Sequence, residues 1–309
     1  MDTFRKRRPQ VLLLGNGVIR AYSDKALSWQ DLLKRIGTRE VPDNLGIPMP
    51  LEIVLRTEDH VDMVLDHHYR ELYGVVDTKD FGDTLRSIFD IGFDHILTTN
   101  YSYELEEAAL GVPMFTDEEL KQLIRHSTEV KDEEQEFMLF TCNEVSVNGK
   151  SCRIWHIHGE ARKPNSIVLG HLYYGNLLTR CSGYLYGDAG CEEGEVFSWV
   201  DAFMLGDVYT LGFGYDFSEM DLWWLLDYKK IFFRNEGGKL YYYRPGKLET
   251  FDVKSTLLQD YGAQIINFGE QEPVSHVNEY YKGFYKKSLE DIRRRVVSAN
   301  ASSDSPAAY

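Results

Sequence analysis

The sequence predicts an α/β protein built on a doubly wound, mostly parallel sheet with helical insertions, and three stretches carry that prediction. Val11-Leu12-Leu13-Leu14 is a short continuous apolar run that breaks into Gly15-Asn16-Gly17. Runs of this kind mark strands buried on both faces of a parallel sheet. Phe93 to Thr98 and Asp207 to Leu211 repeat the grammar, each ending in small or polar residues before a helical segment. Strands that alternate with helices in this way build βαβ units.

Composition sets the bounds. The 309 residues, 43% hydrophobic and 13% aromatic, are enough for a large core in one generous domain or two smaller ones. Thirty-four basic against 49 acidic residues give a net charge of -15, which repels a phosphate backbone, so nucleic acid is not expected as a partner. The basic N-terminus is followed by an apolar run too short for a signal peptide, and no apolar stretch approaches the roughly 20 residues of a membrane span. The expectation is a cytoplasmic protein whose Cys142, Cys152, Cys181 and Cys191 stay thiols. Structural zinc ribbons pair their ligands two to four residues apart, and here no two cysteines are closer than ten. Cys152, His156 and His158 share parity on one strand face, which would let them meet a metal; buried thiols are the default, and no metal is expected.

In chain order, the strand Val11–Leu14 ending in a glycine pair lets backbone amides approach a phosphate closely, or serves as a plain strand-to-helix turn. The third glycine of the dehydrogenase fingerprint is absent, and no lysine followed by serine or threonine makes a kinase-type phosphate loop. Ser28, with Asp31 three residues on, reads as a helix N-cap. From Pro42 to Gly92 the pattern is helical, with stripes at Leu51, Val54, Leu55, Val61, Val64 and Leu65, then at Phe81, Leu85, Ile88 and Phe89. His60, His67 and His68 on that stretch are read as solvated or packing residues. Thr98-Thr99-Asn100-Tyr101-Ser102 closes a strand, so Asn100 stands where open α/β sheets keep their ligands; it is a ligand contact or a helix cap.

Asp117 to His126 reads as a helix and Lys131 to Glu136 as a solvated charge run. Asn148-Gly149-Lys150 between two strand patterns is a hairpin turn. Arg153 to Ile157 is a strand that delivers His158 to its end beside Gly159. There the one ring that titrates near neutrality could take a proton from a substrate hydroxyl, or be a hydrogen-bonded core residue. Ser166 to Gly170 resembles a further strand. His171 to Cys181 and Val196 to Leu205 read as helices around a glycine-rich cover. Asp207 to Asp221 repeats strand, two glycines (Gly212, Gly214) and a helix with acids in its first turn, a second close backbone approach that suits the adenosine half of a dinucleotide. Lys239–Tyr243 and Gln264–Phe268 continue the strands, and Val277–Val297 closes the chain as a helix. The expected layout is a single domain over residues 1–298, with helical insertions at about 42–92 and 103–150, a loop-rich cover at about 171–205, and a disordered tail over 299–309.

Taken together, Gly15-Asn16-Gly17 with Ser28-Trp29, then Thr98-Thr99-Asn100-Tyr101, then His158-Gly159, then the glycine motif before a tryptophan-rich helix resemble the sirtuins. More narrowly, the chain resembles the bacterial sirtuin-like NAD hydrolases of anti-phage defence, from about Val11 to Phe268. The resemblance implies a Rossmann-like sheet and NAD as substrate. It implies Asn100 and His158 as catalytic residues: Asn100 would position the nicotinamide ribose and the attacking water, and His158 would deprotonate or orient a ribose hydroxyl. Gly15, Asn16, Gly17, Thr98, Thr99, Ser102 and Asp221 would line the cofactor, with Gly212 and Gly214 toward the adenosine side. Ser102 replaces the aspartate that the family commonly carries there, and Ile19 replaces the serine of deacylating sirtuins. Without paired cysteines for a zinc module, deacylation is the lesser branch beside hydrolysis. ADP-ribosyl transfer and a non-catalytic NAD or ADP-ribose sensor are also compatible with the resemblance. Control through a homo-oligomer or a partner defence protein is expected by analogy.

Overall fold

Eight strands form one sheet in the computed structural model, which describes residues 7–23, 28–37, 79–111, 124–127, 139–161, 163, 166–187, 196–234, 237–247, 252–270, 273, 275 and 277–303. The strands are β1 (Gln10–Leu14), β2 (His95–Thr98), β3 (Ile124–Ser127), β4 (Thr141–Val147), β5 (Lys150–His156), β6 (Asp207–Leu211), β7 (Leu240–Tyr243) and β8 (Ala263–Ile266). The helices are α1 (Gly17–Tyr22), α2 (Trp29–Ile36), α3 (Lys79–Ile91), α4 (Glu104–Leu110), α5 (His171–Tyr186), α6 (Trp199–Leu205), α7 (Met220–Phe232), α8 (Val253–Asp260) and α9 (Val277–Ser303).

The spatial order is β3-β4-β5-β2-β1-β6-β7-β8. The six strands from β5 to β8 are parallel. Numbered among themselves they run 3-2-1-4-5-6, the order of doubly wound sheets whose ligand crevice opens where the winding reverses. That reversal falls between β1 and β6, which pair from Gln10↔Asp207 to Leu14↔Leu211. β1 is buried on both faces because successive side chains alternate. Leu12 and Leu14 enter the core shared with α1, α3 and α9, whereas Val11 and Leu13 enter the core shared with α5, α6 and α7.

Two local signals are realised as the sequence reads. Ser28 caps α2 in a reciprocal box with Asp31. Asn148 and Gly149 both take positive φ (53° and 77°), as a two-residue hairpin turn requires, and set β4 antiparallel to β5.

Other expectations are corrected. Within Asp117–His126, read as helix, residues from Ile124 form β3, antiparallel to β4. The insertion at about 103–150 therefore holds, among its described residues, one short helix and two antiparallel strands. β3 is only four residues long and owes its strand state to pairing with β4, which periodicity does not reveal. Ser166–Gly170 is not a ladder strand but a loop tied to the site, Val168 N–H donating to the His158 carbonyl at 2.8 Å. In the expected cover over 171–205 the two helices read from the sequence are present, but α5 runs on beyond Cys181 through Gly183 to Tyr186, so the described part of the cover is helical rather than loop-rich. The closing helix continues past 298 to Ser303. Of the 42–92 insertion, α3 is helical; residues 42–78, with His60, His67 and His68, lie outside the described residues, as do Cys191 and the charge run 131–136. No helix among the described residues is long and apolar enough to cross a membrane.

Candidate active site

The residues assigned to catalysis or cofactor binding from the sequence lie at or just beyond a strand's carboxyl end or, for Asp221, in the first turn of the helix that follows. The two glycine loops meet at the point where the winding reverses. Gly15 N–H donates to the Leu211 carbonyl at 3.0 Å and Gly17 N–H to the Gly212 carbonyl at 2.8 Å. A Cβ on Gly15 or Gly17 would stand 2.5 or 2.7 Å from the Gly212 oxygen. The glycine pair is thus explained first by the close approach of two loops, and both amides are already used. Asn16 begins α1 without a side-chain cap bond. Gly214 differs, because nothing lies within 4 Å of a Cβ placed there. Beside it, buried Tyr215 holds φ 45°, a strained value for a residue with a side chain. Its hydroxyl meets Thr210 Oγ1 at 3.2 Å, and its ring packs between Phe213 and Tyr242.

The loop after β2 is fixed through its main chain. Thr99 N–H reaches the Leu14 carbonyl at 3.4 Å, Asn100 N–H donates to Thr98 Oγ1 at 3.1 Å, and the Tyr101 carbonyl accepts from Ala161 N–H at 2.8 Å. Asn100 is not a helix cap: α4 begins with Tyr103 at its N-cap position. The Asn100 side-chain amide, on a residue 8% exposed, has no hydrogen-bond partner among the described residues. Ser102 donates to the Glu104 carboxylate, so its hydroxyl is turned inward.

His158 is completely buried rather than facing an open cleft. Its Nε2–H donates to Asp221 Oδ2 at 2.9 Å, its Nδ1 lies 3.7 Å from Glu219 Oε2, and the Tyr174 ring covers it edge-on at 5.4 Å. Tyr174 in turn donates to Glu219 at 2.9 Å. Asp221, expected as a cofactor-binding residue, is the hydrogen-bond partner of His158. Burial presses the His158 pKa down; the Asp221 charge and hydrogen bond, then Glu219, outweigh it and raise the pKa above the usual histidine value. Burial drives Glu219 up to about 7, against the pull of His158. The cluster therefore places a buried carboxyl that titrates near neutral pH beside a histidine whose charged form is favoured by Asp221, an arrangement in which a proton can be held or passed between neighbours. His158 Nδ1 and Asp221 Oδ1 have no hydrogen-bond partner among the described residues. One potential ligand atom each from His158, Glu219 and Asp221 lie within 4.8 Å of one another, so these three, and not the Cys152, His156 and His158 set, have the geometry to hold a cation.

Glu219 and Tyr174 do not stand out in the sequence. The acids in the first turn of α7 are visible there, but not their direction. Tyr174 comes from α5, the helix that follows β5 in the chain, and its ring meets His158 only once that helix has packed on the sheet.

A parallel sheet of this order, with ligand-type side chains gathered at its carboxyl edge, defines the class: a doubly wound, dinucleotide-type α/β protein. The model of the SIR2-like domain matches residues 94–266, more than half of the chain, and the chain belongs to the SIR2-like family. The match starts at the border of β2, so β1 and Gly15–Gly17 lie outside it. Domains of this family bind NAD and are generally NAD-dependent enzymes. No curated protein matches the chain.

Proposed function

We propose that the protein is an NAD hydrolase, releasing nicotinamide and ADP-ribose, and that it serves as a regulated effector of bacterial anti-phage defence in the cytoplasm. The observation that carries the reading is Asn100: its main chain is tied down on both sides while its amide is left without a partner among the described residues at the carboxyl edge. Nicotinamide departs through a transition state with positive charge on the ribose, so the protein's task is to bind NAD bent, exclude water and stabilise that cation. In this reading Asn100 orients the ribose and the attacking water. His158, held by Asp221, orients a ribose hydroxyl, or deprotonates it once the ring has given up its own proton to the neighbouring Glu219 carboxylate. Thr98, Thr99, Gly15, Asn16 and Gly17 border the pyrophosphate, and Gly212 and Gly214 border the adenosine side. A homo-oligomer or a partner defence protein would supply the trigger.

Ser102 favours one second reading, a non-catalytic NAD or ADP-ribose sensor. Its hydroxyl is engaged by Glu104 and is not offered to the nicotinamide amide. Chromatography of an NAD incubation separates the two. Free nicotinamide with linear or cyclic ADP-ribose, formed without any acylated peptide, supports the hydrolase. NAD binding without turnover supports the sensor, and cleavage only with acetylated peptide overturns both in favour of deacylation.

A further inference from the structure

A buried polar chain runs from the antiparallel hairpin to Asn100. Asn143 of β4 donates from Nδ2 to Glu106 Oε1 at 2.9 Å. Glu106 of α4 accepts from His156 Nε2 at 3.0 Å, and His156 Nδ1, at the end of β5, reaches the main-chain oxygen of Asn100 at 2.9 Å. Asn143 and His156 are 2% exposed and Glu106 is fully buried. The Tyr103 ring closes over His156 edge-on at 5.3 Å.

Both ring nitrogens of His156 face oxygens, a carboxylate on one side and a carbonyl on the other. Only the doubly protonated imidazolium donates to both. Burial acts to remove that proton, but the charge and hydrogen bond of Glu106, with Glu160 behind, outweigh it and hold the His156 pKa at about 9. A buried ion pair is no more stabilising than well-packed apolar residues, so stability alone does not account for this one. Its outer end is the Asn100 carbonyl, and the Asn100 N–H is held by Thr98. The two amide bonds flanking Asn100 are therefore pinned, which fixes the direction of its side chain.

We propose that His156, hydrogen-bonded to Glu106 and through it to Asn143, is a positioning residue that sets the Asn100 amide for attack at the nicotinamide ribose. The proposal rests on the hydrolase reading for its consequence and on the hydrogen-bond chain for its geometry. It also gives the antiparallel extension a task, since β4 supplies Asn143.

The test exploits the shapes of the two amides. An asparagine side chain reaches where Nδ1 of a histidine stood, and a glutamine side chain reaches where Nε2 stood. In a Glu106→Gln background, which leaves no stranded charge, His156→Asn keeps a donor to the Asn100 carbonyl, whereas His156→Gln keeps only the contact with residue 106. NAD turnover should lose about tenfold or more in kcat in the His156→Gln pair relative to the His156→Asn pair, with KM and melting temperature alike in the two. Equal kcat in both pairs overturns the proposal. Hydrogen exchange at the amides of Thr99 to Tyr101 reads the same bond without NAD: faster exchange in the His156→Gln pair supports the pinning, and equal rates overturn it. If the wild-type protein cleaves no NAD under any activating condition, the hydrolase reading falls and the exchange measurement alone judges whether His156 holds Asn100.

Discussion

Replacing Gly212 by alanine should unsettle the fold, while the same change at Gly214 should not. Gly212 has φ +66°, and a Cβ there would stand 2.6 Å from Val18 Cγ2, 2.7 Å from Val18 N and 3.1 Å from the Gly15 oxygen. The valine methyl can rotate away, but the α1 amide and the β1 loop are backbone and cannot move without reopening the junction of β1 and β6. The left-handed conformation costs about 1–2 kcal/mol for a residue with a side chain, and overpacking typically adds about 1–3 kcal/mol. The sum, about 2–5 kcal/mol, corresponds for a chain of 309 residues to a drop in melting temperature of roughly 3–8 °C. Gly214 has no left-handed φ and no heavy atom within 4 Å of an added Cβ, so Gly214→Ala should stay within about 0.5 kcal/mol of wild type. Thermal denaturation followed by circular dichroism compares the two directly. A Gly212→Ala protein that melts within about 1 °C of wild type would refute the claim that this glycine exists for loop packing. If Gly214 borders NAD as proposed, its alanine variant should raise KM for NAD at unchanged melting temperature.

Asn100→Asp should leave the melting temperature within a few degrees, because Asn100 caps no helix, and should lower NAD turnover by about a hundredfold by removing the amide donors; retained turnover would show that the amide is not used. His158→Ala should abolish turnover and also destabilise the protein by about 2–4 kcal/mol, since it leaves Asp221 and Glu219 buried without their imidazole; wild-type activity in a folded His158→Ala protein would sink the assignment. The buried His156 also predicts a pH dependence of stability. Its folded pKa is raised from 6.5 to about 9, so its contribution, on the order of 3 kcal/mol, is fully present below pH 6.5 and is lost as pH rises through about 9. Glu106→Gln should flatten that decline in denaturant titrations between about pH 6.5 and 9.5, and an equal slope in both proteins would contradict it.

The local chemistry of the chain is enough to announce much of this architecture. Continuous apolar runs such as Val11–Leu14 require burial on both faces, and the breaks at Gly15, Thr98 and Gly212 locate strand ends because small residues stop a strand without stopping the chain. The hairpin at Asn148-Gly149 is legible for the same reason, since positive φ at two successive residues restricts the residue types there. Asn100 and His158 can be marked by their places at strand ends alone.

Their surroundings cannot. Whether His158 faces a cleft or lies inside depends on Tyr174, Glu219 and Asp221, which come from other elements and converge only once the helices have packed. The same holds for His156. In sequence it is one more alternating residue of β5, and its hydrogen bonding is set by Glu106 on α4, which Asn143 on the neighbouring strand β4 holds. The segment that forms β3 reads as helix for an equivalent reason, as its strand character comes from pairing with β4 rather than from its own residues. Strand ends are written in short-range steric rules, which a sequence carries residue by residue. The partners of a buried charge depend on which distant segments share its desolvated volume, and the tertiary structure alone decides that.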